Sequence, residues 1–383
     1  LSFAALAFCV DIWSVVPAPT LPLLALAVIV PELAPWSVLV TLVALLLVLR
    51  CTLGRTRIVT VGLTLVALSC AAYPLAMLPA TLASANASLA SLRTARSTAS
   101  PAAAPERNAL QTPFDVRLAF TGFAAIRDVR VERLSVVTRD GIRLGLDLYR
   151  MPGRGARPTL VLVYGGAWIF GSLADLAELG RSFARLGYTV IAIDYRHAPQ
   201  FRFPTQRNDV DDALETIARH ASAWDVDPKR VALFGRSAGA ELVLLAAYRP
   251  QPLRIRAVVG YYSPTDLVRG YASPPVPDPA DIRAILRTYV GGTPAQRPAA
   301  YAAASPITSV RPGLPPTLLV GGARDELIRL SLQYELRDAL TAASDPVVSI
   351  ALPWSNHAFD SIPSDVGGQI ARYYTQRFLA ATL

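Results

Sequence analysis

The chain has 383 residues, enough for one large domain and an appendage; 52% are hydrophobic and the mean hydropathy is +0.37, so membrane segments are sought first. The formal charge of +9 comes from scattered arginines, with Lys229 the only lysine. Without the clustered runs of an electrostatic footprint, this excludes nucleic acid as a partner. Cys9, Cys51 and Cys70 all lie in the apolar N-terminal third, and His197, His220 and His357 are the only histidines. A disulfide framework and a metal centre built on cysteines or histidines are therefore both excluded.

Residues 1–80 are dominated by Leu, Val and Ala. The stretches Leu33 to Leu49 and Ile58 to Leu78 each approach the ~20 residues that cross a bilayer core as a helix. Ser2 to Val30 is apolar too, but is cut by Pro17, Pro19 and Pro22 and carries Asp11; it reads as a further, less regular span. The region is thus predicted to hold about three spans facing the lipid bilayer. The loop from Arg50 to Arg57, with Arg50, Arg55 and Arg57, belongs on the cytoplasmic side by the positive-inside rule. A multi-pass membrane protein with an extracytoplasmic catalytic domain follows.

Residues 81–112 are rich in Ala, Ser, Thr and Pro and read as a flexible tether. From 113 to 383 the texture changes to alternating strands and helices. Val131 to Val137 and Ile142 to Tyr149 flank Asp140-Gly141 and predict a hairpin. Short apolar strands follow at Thr159 to Tyr164, Thr189 to Asp194, Arg230 to Phe234, Ala257 to Tyr261, Thr317 to Val320 and Val347 to Leu352. Continuous apolar runs of this kind suit a parallel sheet covered on both faces, and the helical stretches between them argue for an α/β fold. Residues 264–311, rich in Pro, interrupt the rhythm and read as a cap inserted over the active site.

Gly235-Arg236-Ser237-Ala238-Gly239 follows an apolar strand and opens an Ala/Leu-rich helix. A strand-to-helix turn this sharp strains the serine backbone and exposes its hydroxyl at the rim of the sheet. A serine hydroxyl needs a base, and the base an orienting carboxylate. His357, the only histidine after Ser237, and Asp325 each fall just past a later strand. Glu326, Asp345 and Asp360 are the rivals to Asp325. The Tyr164-Gly165-Gly166-Ala167-Trp168 turn predicts an oxyanion hole from the N–H groups of Gly166, Ala167 and Ala238. Arg236, beside the nucleophile, is read either as attracting an anionic group or as covering surface.

In this order the motifs resemble the α/β-hydrolase superfamily, and within it the esterase/lipase branch related to hormone-sensitive lipase. The resemblance runs from about residue 131 to 383 through Tyr164-Gly165-Gly166-Ala167, Asp194-Tyr195-Arg196-His197-Ala198-Pro199 with Phe203-Pro204, and the Ser237 turn. Tyr164 stands where that branch has a histidine and Ala167 where it has a glycine. The resemblance implies a mostly parallel central sheet flanked by helices, and hydrolysis of a small-molecule carboxylic ester through an acyl-enzyme, without metal or organic cofactor. Two rivals stand beside it: an amidase or peptidase on the same scaffold, and a non-catalytic membrane protein using the fold for binding.

Overall fold

The structure, a computed structural model, describes residues 2–51, 53–95, 109–153 and 155–383. Four helices come first: α1 (Ser2–Asp11), α2 (Leu21–Glu32), α3 (Ala34–Cys51) and α4 (Gly54–Ala95). A short helix, α5 (Val116–Thr121), leads into the hairpin of β1 (Arg130–Val137) and β2 (Arg143–Arg150). The alternating part then runs β3 (Arg157–Val163), α6 (Ala177–Arg185), β4 (Thr189–Ile193), α7 (Thr205–Arg219), β5 (Val226–Arg236), α8 (Ala238–Ala247) and β6 (Ile255–Tyr261). Three short helices, α9 (Leu267–Ala272), α10 (Ile282–Val290) and α11 (Pro298–Ala303), separate β6 from β7 (Thr317–Gly322). The chain ends with α12 (Leu330–Ala342), β8 (Val347–Leu352) and α13 (Val366–Thr382).

The eight strands form one sheet in the order β1-β2-β4-β3-β5-β6-β7-β8. β1 and β2 pair antiparallel, as do β2 and β4, and every pairing from β4 to β8 is parallel. All five residues of β4 and all six of β7 are buried, because helices cover both faces and leave no solvated side on which polar residues could alternate. α8 is buried along its whole length against β5 and β6, which holds the turn before it in place.

Among the described residues two helices are long and apolar enough to cross a membrane, Ala34–Cys51 and Gly54–Leu92. The further span expected over 2–30 is instead two helices, α1 of 10 and α2 of 12 residues, separated by the stretch holding Pro17 and Pro19. At 1.5 Å per residue the 12 residues of α2 rise about 18 Å, short of the roughly 30 Å of a bilayer core.

The flexible tether expected over 81–112 is corrected over residues 81–95. α4 continues unbroken to Ala95 and lies against β8 and α13. Ala85, Leu89 and Leu92 recur at helical spacing and are buried, a stripe concealed by the Ala and Ser between them. Ser349 N–H donates to Ser88 Oγ (3.0 Å), and Tyr374 O–H donates to Asn86 Oδ1 (2.9 Å). Residues 96–108 lie outside the described residues, and Leu110 N–H donates to Gln376 Oε1 of α13 (2.8 Å).

Candidate active site

β5, β7 and β8 run parallel within the same half of the sheet, so their C-terminal ends share one rim. Ser237 follows β5 directly, Asp325 comes three residues after β7, and His357 five residues after β8. Open parallel sheets form their binding crevices at this edge.

At the first of these positions the chain reverses from strand to helix within one residue. Ser237 takes φ 51° and ψ −122°, a conformation that costs a non-glycine residue on the order of 1–3 kcal/mol. The turn is compact because Gly235 and Gly239 bring their backbones together: a Cβ on Gly235 would stand 2.2 Å from Gly239 O, and one on Gly239 2.3 Å from Tyr164 O. Ser237 N–H donates to Tyr261 O (3.0 Å), tying the turn to the end of β6.

The structure brings the three predicted side chains together. His357 Nε2 lies 3.0 Å from Ser237 Oγ, and His357 Nδ1 lies 2.8 Å from Asp325 Oδ2. The other carboxylate oxygen of Asp325 accepts from the N–H groups of Leu327 and Ile328, both at 2.8 Å. Asp325 is thereby fixed from behind and presents a single oxygen to the imidazole. Both Asp325 and His357 are buried. The rival carboxylates are engaged elsewhere. Glu326 bonds Asn356 Nδ2 (2.8 Å) and Asp345 accepts from Leu314 N–H (2.9 Å), while Asp360 pairs with Arg236 (2.6 Å). Of the two readings of Arg236, the structure supports neither an anion site nor a plain surface residue. Its guanidinium closes an ion pair across the site.

Several residues that the sequence reading did not single out position the histidine loop. Asn356 Oδ1 accepts from both His357 N–H (2.7 Å) and Glu326 N–H (3.0 Å), cross-linking the loops after β7 and β8. The Tyr262 ring lies 4.4 Å from the imidazole, centroid to centroid, and its hydroxyl donates to Asp360 Oδ1 (2.7 Å). Glu32 of α2 accepts from Ser355, Trp354 and Gly367 around the same loop. Its one visible signal was that Asp11 and Glu32 are the only acidic residues in 1–80.

The loop after β3 passes close beside Ser237, since a Cβ on Gly165 would stand 3.1 Å from Ser237 Cβ. Gly166, Ala167 and Trp168 all have positive φ (121°, 54° and 61°), so three successive residues turn the backbone sharply at this point. Ala238 opens α8, whose N-terminal amides favour a nearby anion. Tyr164 is buried and stacks on Tyr195; its hydroxyl reaches Asp194 and lies 3.0 Å from His197 Nε2. Burial and the Asp194 carboxylate hold this phenol protonated, so Tyr164 acts as a strut beneath the loop. Glu241 of α8 accepts from Trp168 Nε1–H (3.0 Å) and fixes the indole, which stacks on Tyr289 at 4.0 Å. A cavity of ≈ 60 Å³ opens beside Ser237, lined among others by Ala167, Trp168, Leu267, Leu286 and Leu327. Its wall is mostly apolar, with Ser237, Asp266, Ser273 and Arg329 as the polar and charged side chains among those lining it.

Comparison with known proteins bears on the family and the fold. The family model BD-FAE matches residues 146–340. The chain is 32% identical over 235 residues to the probable carboxylic ester hydrolase LipM of Mycobacterium tuberculosis, covering 57% of this chain and 54% of LipM. It is 33% identical over 249 residues to Esterase LipC of the same organism, covering 60% of each. The chain thus spans just over half the length of these curated relatives. Among solved structures, an esterase of Pyrobaculum calidifontis superposes with a TM-score of 0.59 at 23% identity, covering 79% of this chain and 93% of the other. A bacterial heroin esterase does so with a TM-score of 0.60 at 24% identity, covering 69% and 88%. The fold is that of the α/β-hydrolases, as the sequence motifs led us to expect.

Proposed function

The chain belongs to the BD-FAE family, and on that premise we propose that it is a membrane-anchored serine hydrolase of carboxylic esters. One observation carries the reading: Ser237 Oγ, His357 and Asp325 form a continuous hydrogen-bonded series, with links of 3.0 and 2.8 Å. That order of alcohol, imidazole and carboxylate activates a hydroxyl for acyl transfer.

In the proposed reaction His357 Nε2 takes the Ser237 proton as Oγ bonds to the ester carbonyl carbon. Asp325 accepts from Nδ1–H and stabilises the imidazolium. The carbonyl oxygen gains negative charge and is held by the N–H groups of Gly166, Ala167 and Ala238. The tetrahedral intermediate collapses, the C–O bond to the alcohol breaks, and His357 returns the proton to the leaving alkoxide. Water then attacks the acyl-enzyme by the same route, which releases the acid and restores Ser237. The acyl group would occupy the cavity beside Ser237, beneath a cap formed by residues 264–311.

The anchor is proposed on α3 and on α4 as far as Leu78. Val40 and Leu46 on α3, and Ile58 and Val59 on α4, leave more than half of their surface uncovered, which suits lipid and not water. The adjoining ends of the two helices, with Arg50 on α3 and Arg55 and Arg57 on α4, belong in the cytoplasm; α4 then carries the hydrolase domain to the opposite side.

The test uses the full chain in detergent. Ser237→Ala should abolish both turnover of a chromogenic short-chain ester and labelling by a fluorophosphonate probe, which reacts only with an activated serine. Retained turnover in that variant would remove the assignment. Paired ester and amide substrates separate an esterase from an amidase on the same scaffold.

A further inference from the structure

Glu32 is the last residue of α2 and is 1% exposed. A carboxylate so deeply buried needs donors, and all those it has belong to the segment around the histidine. Ser355 O–H donates to Oε1, while Gly367 N–H (2.6 Å) and Trp354 Nε1–H (3.4 Å) donate to Oε2. Gly367 is matched to this contact, for a Cβ there would stand 2.6 Å from Oε2. Trp354 and Ser355 are fully buried and precede His357 by three and two residues. Glu32 therefore holds the loop after β8 at one end and the start of α13 at the other.

A second contact from the N-terminal region reaches the same loop. Ala18 N–H, just before α2, donates to Glu326 Oε2 (2.8 Å), and Glu326 Oε1 accepts from Asn356 Nδ2 (2.8 Å). Asn356 in turn accepts the His357 N–H (2.7 Å). Both ends of α2 thus bear on the backbone that carries the imidazole, and only Leu33 separates Glu32 from α3, the first of the two long apolar helices.

We propose that Glu32 is a positioning residue for His357, so that α2 forms part of the catalytic apparatus. This rests on the hydrolase reading above. It acts through geometry: α2 sets where Ser355 sits, Ser355 sets the loop, and the loop sets the 3.0 Å approach of Nε2 to Ser237 Oγ. Gln at position 32 reproduces the arrangement, its NH₂ donating to Ser355 Oγ and its carbonyl accepting from Gly367 and Trp354. Ala reproduces none of it.

The experiment measures kcat, KM and fluorophosphonate labelling rate for full-length Glu32→Ala, Glu32→Gln, Thr41→Val and Ser237→Ala in detergent. Misplacing a catalytic group by about 1 Å can cost on the order of 100-fold. Glu32→Ala is therefore expected to lower kcat by roughly ten- to a hundredfold and to slow labelling in parallel, with KM within about twofold. Glu32→Gln should restore most of the loss. Thr41→Val removes a bond to Asp11 (2.8 Å) that lies inside the N-terminal bundle and should leave kcat unchanged. A folded Glu32→Ala protein with wild-type kcat overturns the proposal, and so does a Thr41→Val protein that falls as far. Should Glu32→Ala not fold, Ser355→Ala removes the same link from the other side and is judged by the same criteria. Turnover by Ser237→Ala would instead defeat the hydrolase reading itself.

Discussion

Arg236 Nη2 lies 2.6 Å from Asp360 Oδ2, joining the residue before Ser237 to a carboxylate three residues beyond His357. Both side chains are largely buried, at 17% and 7% exposure, and Asp360 also accepts from Tyr262, whose ring lies against the imidazole. The ion pair braces the two loops that must meet for the Ser237–His357 hydrogen bond to form.

Breaking this pair from one side strands a buried charge. Arg236→Met should destabilise the protein by about 3–5 kcal/mol and lower kcat. The double variant Arg236→Met with Asp360→Asn should recover much of the stability, since no unpaired charge remains. Urea denaturation of the four proteins, read as a double-mutant cycle, gives the coupling. Simple additivity would show that the two residues act independently.

Asp325→Asn preserves shape while reversing one hydrogen bond. The Asn carbonyl can still accept from Leu327 and Ile328, but its NH₂ then faces His357 Nδ1 and forces that nitrogen to accept. Nε2 consequently carries the proton and cannot take another from Ser237. A drop in kcat on the order of 10⁴-fold is expected, with little change in melting temperature. Steady-state kinetics on the folded variant decides the matter, and a loss below tenfold would contradict the assigned tautomer.

The cavity beside Ser237 is small, at ≈ 60 Å³, and Leu286 forms part of its wall. Short acyl chains should be the better substrates. Leu286→Ala opens room for more carbons, each additional buried methylene contributing about 0.8 kcal/mol, or roughly fourfold. The ratio of kcat/KM for hexanoyl over acetyl esters is therefore expected to rise severalfold in the variant. An unchanged ratio would place the acyl group elsewhere.

Burial pushes the Glu32 carboxyl up to about 7, and the nearby Asp360 charge adds to the effect. Asp365, buried close by, is raised in the same direction, by burial first and by Glu32 next. A folded-state value above the unfolded one means that the folded form binds the proton more tightly. The corresponding stability is present below the unfolded value of 4.5 and is lost as pH rises to about 7. The wild-type melting temperature should fall across that window, and Glu32→Gln, which has no proton to lose there, should show a flatter profile. Thermal melts from pH 4.5 to 8 provide the check, and parallel profiles would mean that Glu32 titrates normally.

Much of the α/β part, and where Ser237, Asp325 and His357 fall on its sheet, was legible from the chain alone, for a local reason. A parallel strand buried on both faces must be a short apolar run, so the strand ends could be counted, and Ser237, Asp325 and His357 each fall just past one. The tight Gly235–Gly239 turn was legible too, because only small residues permit that approach. The N-terminal reading erred where composition hides packing. Leu, Ala and Ser read alike as lipid-facing, tether or core, and only the sheet edge supplied by β8 and α13 turns residues 81–95 into a docked helix. Likewise, prolines mark where an apolar segment breaks, but not whether its pieces still reach across a bilayer. The links from Arg236 to Asp360 and from Glu32 to Ser355 join residues 124 and 323 positions apart. Local sequence carries no trace of such pairings, because a buried charge is satisfied by whatever group the fold brings within about 3 Å, and that neighbour exists only once the chain has closed around it.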